Sequence, residues 1–351
     1  MSGPGSAPAR FDHAPLAPSP MRIGIVTPAP PRSHYGNRVT AQRWARLLHG
    51  LGHRVTISQQ YEDEPLDLLI AIHAKRSHPA VRRFRLAYPG KPLIVALAGT
   101  DLYRDFPRSR RACESLELAS RIVVLQPRAL DELPPHLRRK ARVIYQSSVC
   151  VHIKSATGTA PARNVSPKRN DIGQRFPVCV VGHLRTVKDP FRAAMAARLL
   201  PASSRIQILQ VGGAMTPAMA ARARAEMKRN RRYRWLGEQA PGRVRRILAQ
   251  SCACVLSSRM EGGANAISEA LRASVPVLAS RVSGNVGMLG KRYPGYFSFR
   301  STAQLAQLMS RFERNPQYRR ELKSYCERLA PRFAPTRELA AWKALLRELK
   351  I

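Results

Sequence analysis

The sequence predicts an α/β protein made of two parallel-sheet domains. Its 351 residues are too many for one small domain, and 44% of them are apolar, which is enough for a sizeable core. Short apolar runs alternate with helical segments along most of the chain, a pattern typical of parallel sheets covered by helices on both faces. A polar stretch interrupts this alternation near the middle of the chain and indicates a domain boundary.

The first domain is predicted over residues 21–148. Asn37 could cap a helix that runs to about Leu51 and is ended by Gly52. Residues 1–20 carry five prolines and lack an apolar segment, so we interpret them as a disordered extension rather than a signal peptide. The strand candidates of this domain are 22–26, 54–58, 68–72, 93–98, 122–125 and 143–145.

After a predicted linker over 149–175, the alternation restarts in a second domain over 176–325. Helices over 326–351 could pack back on the N-terminal domain. Two such domains usually hold their ligand in the cleft between them, at the carboxyl ends of the strands. The second domain's strand candidates are 178–181, 206–211, 233–236, 254–257 and 276–279, and its helix candidates are 190–200, 217–230, 243–249 and 265–273.

The net charge of +38 predicts attraction to polyanions. It is compatible with an ordinary solvated basic surface or with nucleic-acid binding, but only 6% of the residues are aromatic and no nucleic-acid-binding signature is present. No apolar run has the length of a bilayer span, so we expect a cytoplasmic protein without a transmembrane segment. The six cysteines form no C-x-x-C pair and indicate reduced thiols rather than a metal site.

The most informative segment begins where a buried strand ends at Ser257 and Ser258. A loop with Gly262 and Gly263 follows, and a helix then starts. Free N–H groups at a helix start favour an anion, and two glycines let the backbone approach it closely. Glu261 precedes the glycines and Glu269 lies eight positions later, so two carboxylates could hold sugar hydroxyls on both sides of a diphosphate. The alternative is a glycine-rich turn with two solvated glutamates.

A second cluster follows the first strand of the second domain. Gly182 lies at the strand end, and Arg185 and Lys188 come soon after it. Two cations at the carboxyl end of a strand could neutralise a phosphate, although cations are common throughout this chain.

Together these segments resemble the GT-B glycosyltransferases, in particular their large family with an E-x7-E motif, here Glu261 to Glu269. The resemblance extends in order over the second domain and implies a fold of two Rossmann-like domains facing across a cleft. It also implies that Arg185, Lys188 and Glu261 are catalytic, without a metal. The donor UDP-sugar would contact Gly182, Leu236, Gly237, Gly262, Gly263, Ala264, Asn265 and Glu269.

The first domain is similar to the selenosugar synthases of selenoneine biosynthesis, a branch of the same superfamily. Three segments carry this resemblance, at residues 27–41, 73–77 and 98–105. It implies transfer of a sugar from a UDP-sugar, with UDP-N-acetylglucosamine as the expected co-substrate, to selenophosphate. The product would contain a carbon–selenium bond, and no cofactor is implied.

The residues of the first domain are consistent with an anionic acceptor such as selenophosphate, because binding an anion needs converging cations and N–H donors. Arg38, Lys75 and Arg104 add to the cations near these strand ends, although each could be a solvated surface cation. Asp101 could orient a histidine or cap a helix, whereas His53 and His183 are expected to be structural. The predicted acceptor-binding residues are Arg32, His34, Gly36, Asn37, His73, Arg76, Thr100 and Asp101.

Two alternatives remain open at this stage. The first is an O-glycosyltransferase acting on a lipid or cell-envelope acceptor, which would need an exposed apolar patch near residues 28–36. The second is a basic nucleic-acid-binding protein, whose affinity for DNA or RNA would depend steeply on salt.

Overall fold

The computed structural model describes residues 20–149 and 175–349. The expected extension over 1–20 and linker over 149–175 lie almost wholly outside the described residues. The described chain contains two six-stranded sheets in which all paired strands are parallel. The prediction of two parallel-sheet α/β domains is therefore confirmed. Within the described ranges, no helix is long and apolar enough to cross a membrane.

The first sheet has the strand order β2-β1-β3-β4-β5-β6. Every residue of β3 and β4 is buried, which explains why their sequences are uninterrupted apolar runs. The strand order reverses at β1, and this reversal opens a crevice at the carboxyl ends of β1 and β3. The strands are β1 (Arg22–Val26), β2 (Arg54–Ser58), β3 (Leu68–Ile72), β4 (Leu93–Leu97), β5 (Arg121–Val124) and β6 (Ala141–Val143), and the helices are α1 (Gly36–His49), α2 (His78–Ala87), α3 (Arg110–Leu118) and α4 (Pro135–Arg139).

The second sheet has the order β12-β11-β10-β7-β8-β9, with its reversal between β7 and β10. The two-residue strand β12 has no counterpart in the sequence prediction because it is too short to show a pattern. The strands are β7 (Phe176–Val181), β8 (Ile206–Val211), β9 (Tyr233–Trp235), β10 (Ala253–Leu256), β11 (Val277–Ser280) and β12 (Tyr296–Phe297), and the helices are α5 (Arg192–Arg198), α6 (Pro217–Arg229), α7 (Pro241–Ala249), α8 (Asn265–Arg272), α9 (Ser283–Leu289), α10 (Thr302–Arg314) and α11 (Pro316–Leu329).

The last helix, α12 (Pro335–Glu348), crosses back to the first domain. Its Trp342 is fully buried against Trp44 of α1, with the ring centroids 4.9 Å apart in an edge-on arrangement. Cys326 and Phe333 still pack in the core of the second domain. The crossing therefore begins after Phe333, later than the expected residue 326.

Helix α1 differs from its prediction at both ends. It begins at Gly36, because Tyr35 has the extended backbone that a residue before a helix requires (φ −67°, ψ 143°). Asn37 consequently lies in the first turn and does not cap the helix. The helix ends at His49, and Gly52 follows three residues later, where its φ of +90° suits a glycine.

Candidate active site

A cleft of about 630 Å³ lies between the carboxyl ends of the two sheets and is lined by both domains. It brings together Arg185, Lys188, Glu261 and Glu269, which come from two separate segments of the sequence. The cleft is also lined by ten other residues that the sequence predicted for the site: His34, Gly36, Asn37, His73, Arg76, Thr100, Gly182, Gly263, Ala264 and Asn265.

The two cations of the second domain lie on the loop after β7. The Arg185 side chain is exposed, and it has no ion-pair partner in the part of the chain that the structure describes. Lys188 ends a short 3₁₀ turn and is half-buried, and its Nζ donates to Glu261 Oε1 at 2.6 Å. The hydroxyl of Ser257, at the end of β10, donates to the carbonyl oxygen of Lys188 and so fixes this loop.

The Glu261 carboxylate is nearly buried, with 7% of the residue exposed. Its charge is compensated by Lys188, and compensation is needed because an unpaired buried carboxylate is strongly destabilising. Gly284 of α9 packs directly beneath this loop. A Cβ atom there would lie 1.8 Å from the Glu261 carbonyl oxygen, so only glycine permits this approach.

The start of α8 offers backbone donors to the cleft, but not the set expected from the sequence. The Ala264 N–H donates to Met288 Sδ at 3.1 Å, so this group does not face an anion as expected. Among the described residues, the N–H groups of Gly263, Asn265 and Ala266 have no protein acceptor. Ala266 was missed, although its place in the first turn of a helix starting at Asn265 is a signal for a free N–H.

Glu269 lies on α8 and lines the same cleft. Burial raises the pKa of its carboxyl, while Arg245 and then Arg43 act in the opposite direction. A carboxylate at this position can accept hydrogen bonds from hydroxyl groups of a ligand.

Three predicted donor-binding residues do not line the cleft. Leu236 packs against the core of the second domain. The Gly237 carbonyl accepts a hydrogen bond from the Gly212 N–H at 2.8 Å. From this segment, Glu238 and Gln239 line the cleft instead. Gly262 instead forms a contact between the domains. A Cβ atom on it would meet the Ala98 carbonyl at 2.6 Å.

On the first domain, His73 follows β3 with the unusual φ of +80° and is 2% exposed. Its Nδ1 accepts from the Arg76 N–H at 3.3 Å, so Nε2 carries the proton and donates to Thr100 Oγ1 at 3.2 Å. Burial lowers the pKa of His73, and nearby Asp101 opposes this effect. The imidazole is therefore a neutral hydrogen-bond donor at the cleft.

Asp101 is fully buried and does not line the cleft. Its carboxylate accepts hydrogen bonds from the N–H groups of Ala74, Ala98 and Gly99 at 2.8–2.9 Å. It lies 3.9 Å from His73 Nδ1, beyond hydrogen-bond distance. Asp101 therefore holds two loops together and does not contact an acceptor, because its oxygens are occupied by backbone donors.

Four of the other first-domain cations named above differ in whether they line the cleft and in whether they form an ion pair. Arg32 is exposed but does not line the cleft. Arg76 does line it, and its guanidinium has no partner in the described ranges. Arg104 also lines the cleft, and both Lys75 and Arg104 form ion pairs with Asp105, at 3.4 and 3.3 Å.

The loop before α1 bridges to the second domain. His34 Nδ1 lies 2.7 Å from Glu238 Oε1, and His183 donates from Nε2 to the His34 carbonyl at 3.2 Å. His183 is assigned this tautomer because its Nδ1 accepts from the Gly213 N–H. Among residues 28–36, Tyr35 is the one large exposed hydrophobic side chain, at 38%.

The same two-domain arrangement is present in solved structures. HepE from Anabaena, crystallised with UDP, has a TM-score of 0.71 and 16% identity, covering 93% of this chain and 99% of that one. Sucrose-phosphate synthase from Thermosynechococcus elongatus also has a TM-score of 0.71 and 16% identity, covering 93% and 98%. The chain has the GT-B fold.

The second domain of this GT-B protein is also similar in sequence to known proteins. The family model described as "Glycosyl transferases group 1" matches residues 163–328. Glycosyltransferase 1 domain-containing protein 1 from Xenopus tropicalis is 24% identical over 310 residues, which cover 85% of this chain and 89% of the relative. The family match supports a glycosyltransferase domain over residues 163–328, and it does not specify an acceptor.

Proposed function

We propose that this GT-B protein transfers a sugar from a UDP-sugar to selenophosphate and so forms a carbon–selenium bond. The observation that carries the proposal is the pair of guanidinium groups of Arg76 and Arg185. They line one cleft from opposite domains, and neither has a carboxylate partner among the described residues. Such an arrangement suits two anions, a diphosphate on one side and a small anionic acceptor on the other.

The donor half of the proposal rests on the second domain. Arg185, Lys188 and the free N–H groups at the start of α8 surround the place where a diphosphate would lie, and Glu269 would accept from the ribose hydroxyls. Cations and N–H dipoles fixed before the reaction stabilise the negative charge that grows on the leaving UDP. HepE, which shares the fold, was crystallised with UDP and with UDP-glucose.

The acceptor half rests on the first domain and on its resemblance to selenosugar synthases. Arg76 and the hydroxyl of Thr100, which accepts from His73 Nε2–H and can donate its own proton, would hold the phosphate oxygens of selenophosphate. Selenium is already anionic, so its electron pair forms the bond to the anomeric carbon without a general base. The bond from that carbon to the phosphate oxygen breaks, and UDP leaves with the electron pair.

A second step would release the product. Water attacks phosphorus, the phosphorus–selenium bond breaks, and inorganic phosphate leaves together with the free selenosugar. An O-glycosyltransferase with a lipid acceptor is less well supported, because Tyr35 alone provides large exposed apolar surface within residues 28–36.

The test is incubation of the full chain with UDP-N-acetylglucosamine and one of three acceptors: selenophosphate, thiophosphate or phosphate. UDP and sugar products are followed by mass spectrometry under anaerobic conditions, with UDP-glucose as an alternative donor. We expect UDP release and a selenosugar with selenophosphate, and no transfer to phosphate. UDP release at the same rate without selenophosphate would overturn the acceptor assignment, and a product that retains phosphate would overturn the second step.

A further inference from the structure

Two side chains of the first domain form hydrogen bonds with residues at the start of α8, a helix of the second domain. Arg43 of α1 donates from NH1 to Asn265 Oδ1 at 3.0 Å. The amide of Gln146 is satisfied when its nitrogen donates to Asn265 Oδ1 at 2.8 Å and to the Gly263 carbonyl at 3.1 Å. Gln146 is 2% exposed, so these bonds form in a region shielded from water.

Arg43 is held in place by an ion pair with Glu338 of helix α12, which packs on the first domain. Its Nε lies 3.2 Å from Glu338 Oε2, and the Glu338 side chain is completely buried. Glu338 also accepts from Trp44 Nε1 at 2.8 Å and from the Ser147 N–H at 2.7 Å. The planar guanidinium therefore has one edge on Glu338 and another nitrogen on Asn265, a geometry that a lysine ammonium cannot reproduce.

This arrangement decides which groups of α8 remain available for a ligand. The Asn265 side-chain oxygen is turned toward the first domain, while the N–H groups of Asn265 and Ala266 stay without a protein acceptor. Arg43 and Gln146 can make these bonds only when the two domains are together. The bonds therefore link the relative placement of the domains to the orientation of the helix start.

We propose that Arg43 and Gln146 are positioning residues for the UDP-sugar site, which they serve by holding the start of α8 through Asn265 and Gly263. The inference rests on the proposed donor-binding function of that helix start. Arg43 is not among the residues that line the cleft, and the amide of Gln146, which does line it, is already occupied by these protein bonds. Arg43 also acts electrostatically on Glu269, the carboxylate assigned to the ribose.

The test compares the variants Arg43→Lys and Gln146→Leu with Arg54→Lys, a matched control on β2 of the same domain whose side chain is exposed. Arg43→Lys retains a positive charge beside Glu338, so its melting temperature should stay close to that of the wild type. Loss of the bonds to Asn265 should weaken UDP binding by about ten-fold in calorimetry and raise the KM for the UDP-sugar equally. The KM for the acceptor and kcat at saturating donor should not change, and Arg54→Lys should match the wild type.

A double variant and a measurement independent of turnover complete the test. If Arg43 acts through Asn265, Arg43→Lys should add no further loss of UDP affinity to Asn265→Ala. Hydrogen exchange over residues 263–268 should accelerate in Arg43→Lys and Gln146→Leu but not in Arg54→Lys. Unchanged exchange, or losses of affinity that add, would overturn the positioning role. Absence of UDP binding by the wild type would instead overturn the proposed function. The exchange rates would still decide whether Arg43 and Gln146 hold the start of α8.

Discussion

Lys188 Nζ donates to Glu261 Oε1 at 2.6 Å, which joins two residues that lie 73 positions apart in the sequence. The contact arises because β7 and β10 are neighbours in the second sheet and the loops that follow them meet at its carboxyl edge. The bond couples Lys188, the cation assigned to the diphosphate, to Glu261, the carboxylate assigned to the donor sugar.

Replacing Lys188 with Met should lower kcat/KM for the UDP-sugar by about 100-fold or more, because charge on the leaving UDP loses a fixed cation and Glu261 loses its partner. UDP release measures the effect. The control is Lys323→Met on α11, where an exposed lysine lies 3.9 Å from Glu327, and it should be neutral. Wild-type kinetics in Lys188→Met would contradict the assignment.

Replacing Arg76 with Ala should raise the KM for the anionic acceptor at least about ten-fold and leave the KM for the UDP-sugar unchanged, because the lost charge-assisted contact belongs to the acceptor side. Initial rates with each substrate varied in turn measure the two constants. Arg82→Ala removes an exposed cation from the neighbouring helix α2 and should change neither. Equal effects on both constants would place Arg76 elsewhere in the reaction.

Replacing Gly262 with Ala should reduce turnover by about 100-fold, because its Cβ would meet the Ala98 carbonyl of the other domain and displace the domains relative to each other. Small-angle scattering should show a larger particle, while the circular dichroism spectrum should be retained. The matched control is Gly242→Ala, where a Cβ meets nothing within 4 Å. That variant should be fully active and at least as stable as the wild type.

The free energy of unfolding should fall as the pH is lowered from 7 through 6.5, because burial holds the pKa of His73 below its usual value of 6.5. Over this range the unfolded chain binds a proton that the folded chain does not, and the loss stops once the pH is below the lowered pKa. Urea denaturation of His73→Asn at several pH values should show a smaller slope. A residual slope is expected from His53, whose pKa is also lowered by burial. An unchanged slope would mean that His73 binds protons equally in the folded and unfolded chains, so that its pKa is not lowered by folding.

The strands and the location of the site could be predicted from the sequence because both depend on local patterns. A buried strand such as β8, Ile206–Val211, is an apolar run, and a strand followed by Gly262 and Gly263 and then a helix indicates an anion site. These signals placed Arg185, Lys188, Glu261 and Glu269 on one cleft.

The errors arose where a residue's role depends on a distant partner. Ala264 donates to Met288, 24 positions later, and the buried Asp101 binds the Ala74 N–H, 27 positions earlier. Nothing in the local sequence distinguishes these groups from ones that face a ligand. The bond between Arg43 and Asn265 spans 222 positions and two domains, so no spacing rule could reveal it.

The packing of α12 on the first domain has a consequence for folding during synthesis on the ribosome. Trp44 emerges early, but the ring that covers it, Trp342, is translated only after the entire second domain. Vectorial synthesis would ordinarily let the leading domain mature before its successor appears. In this protein the indole of Trp44 stays uncovered until nearly 300 further residues have been synthesised. The first domain can therefore finish folding only after the second domain has also been made.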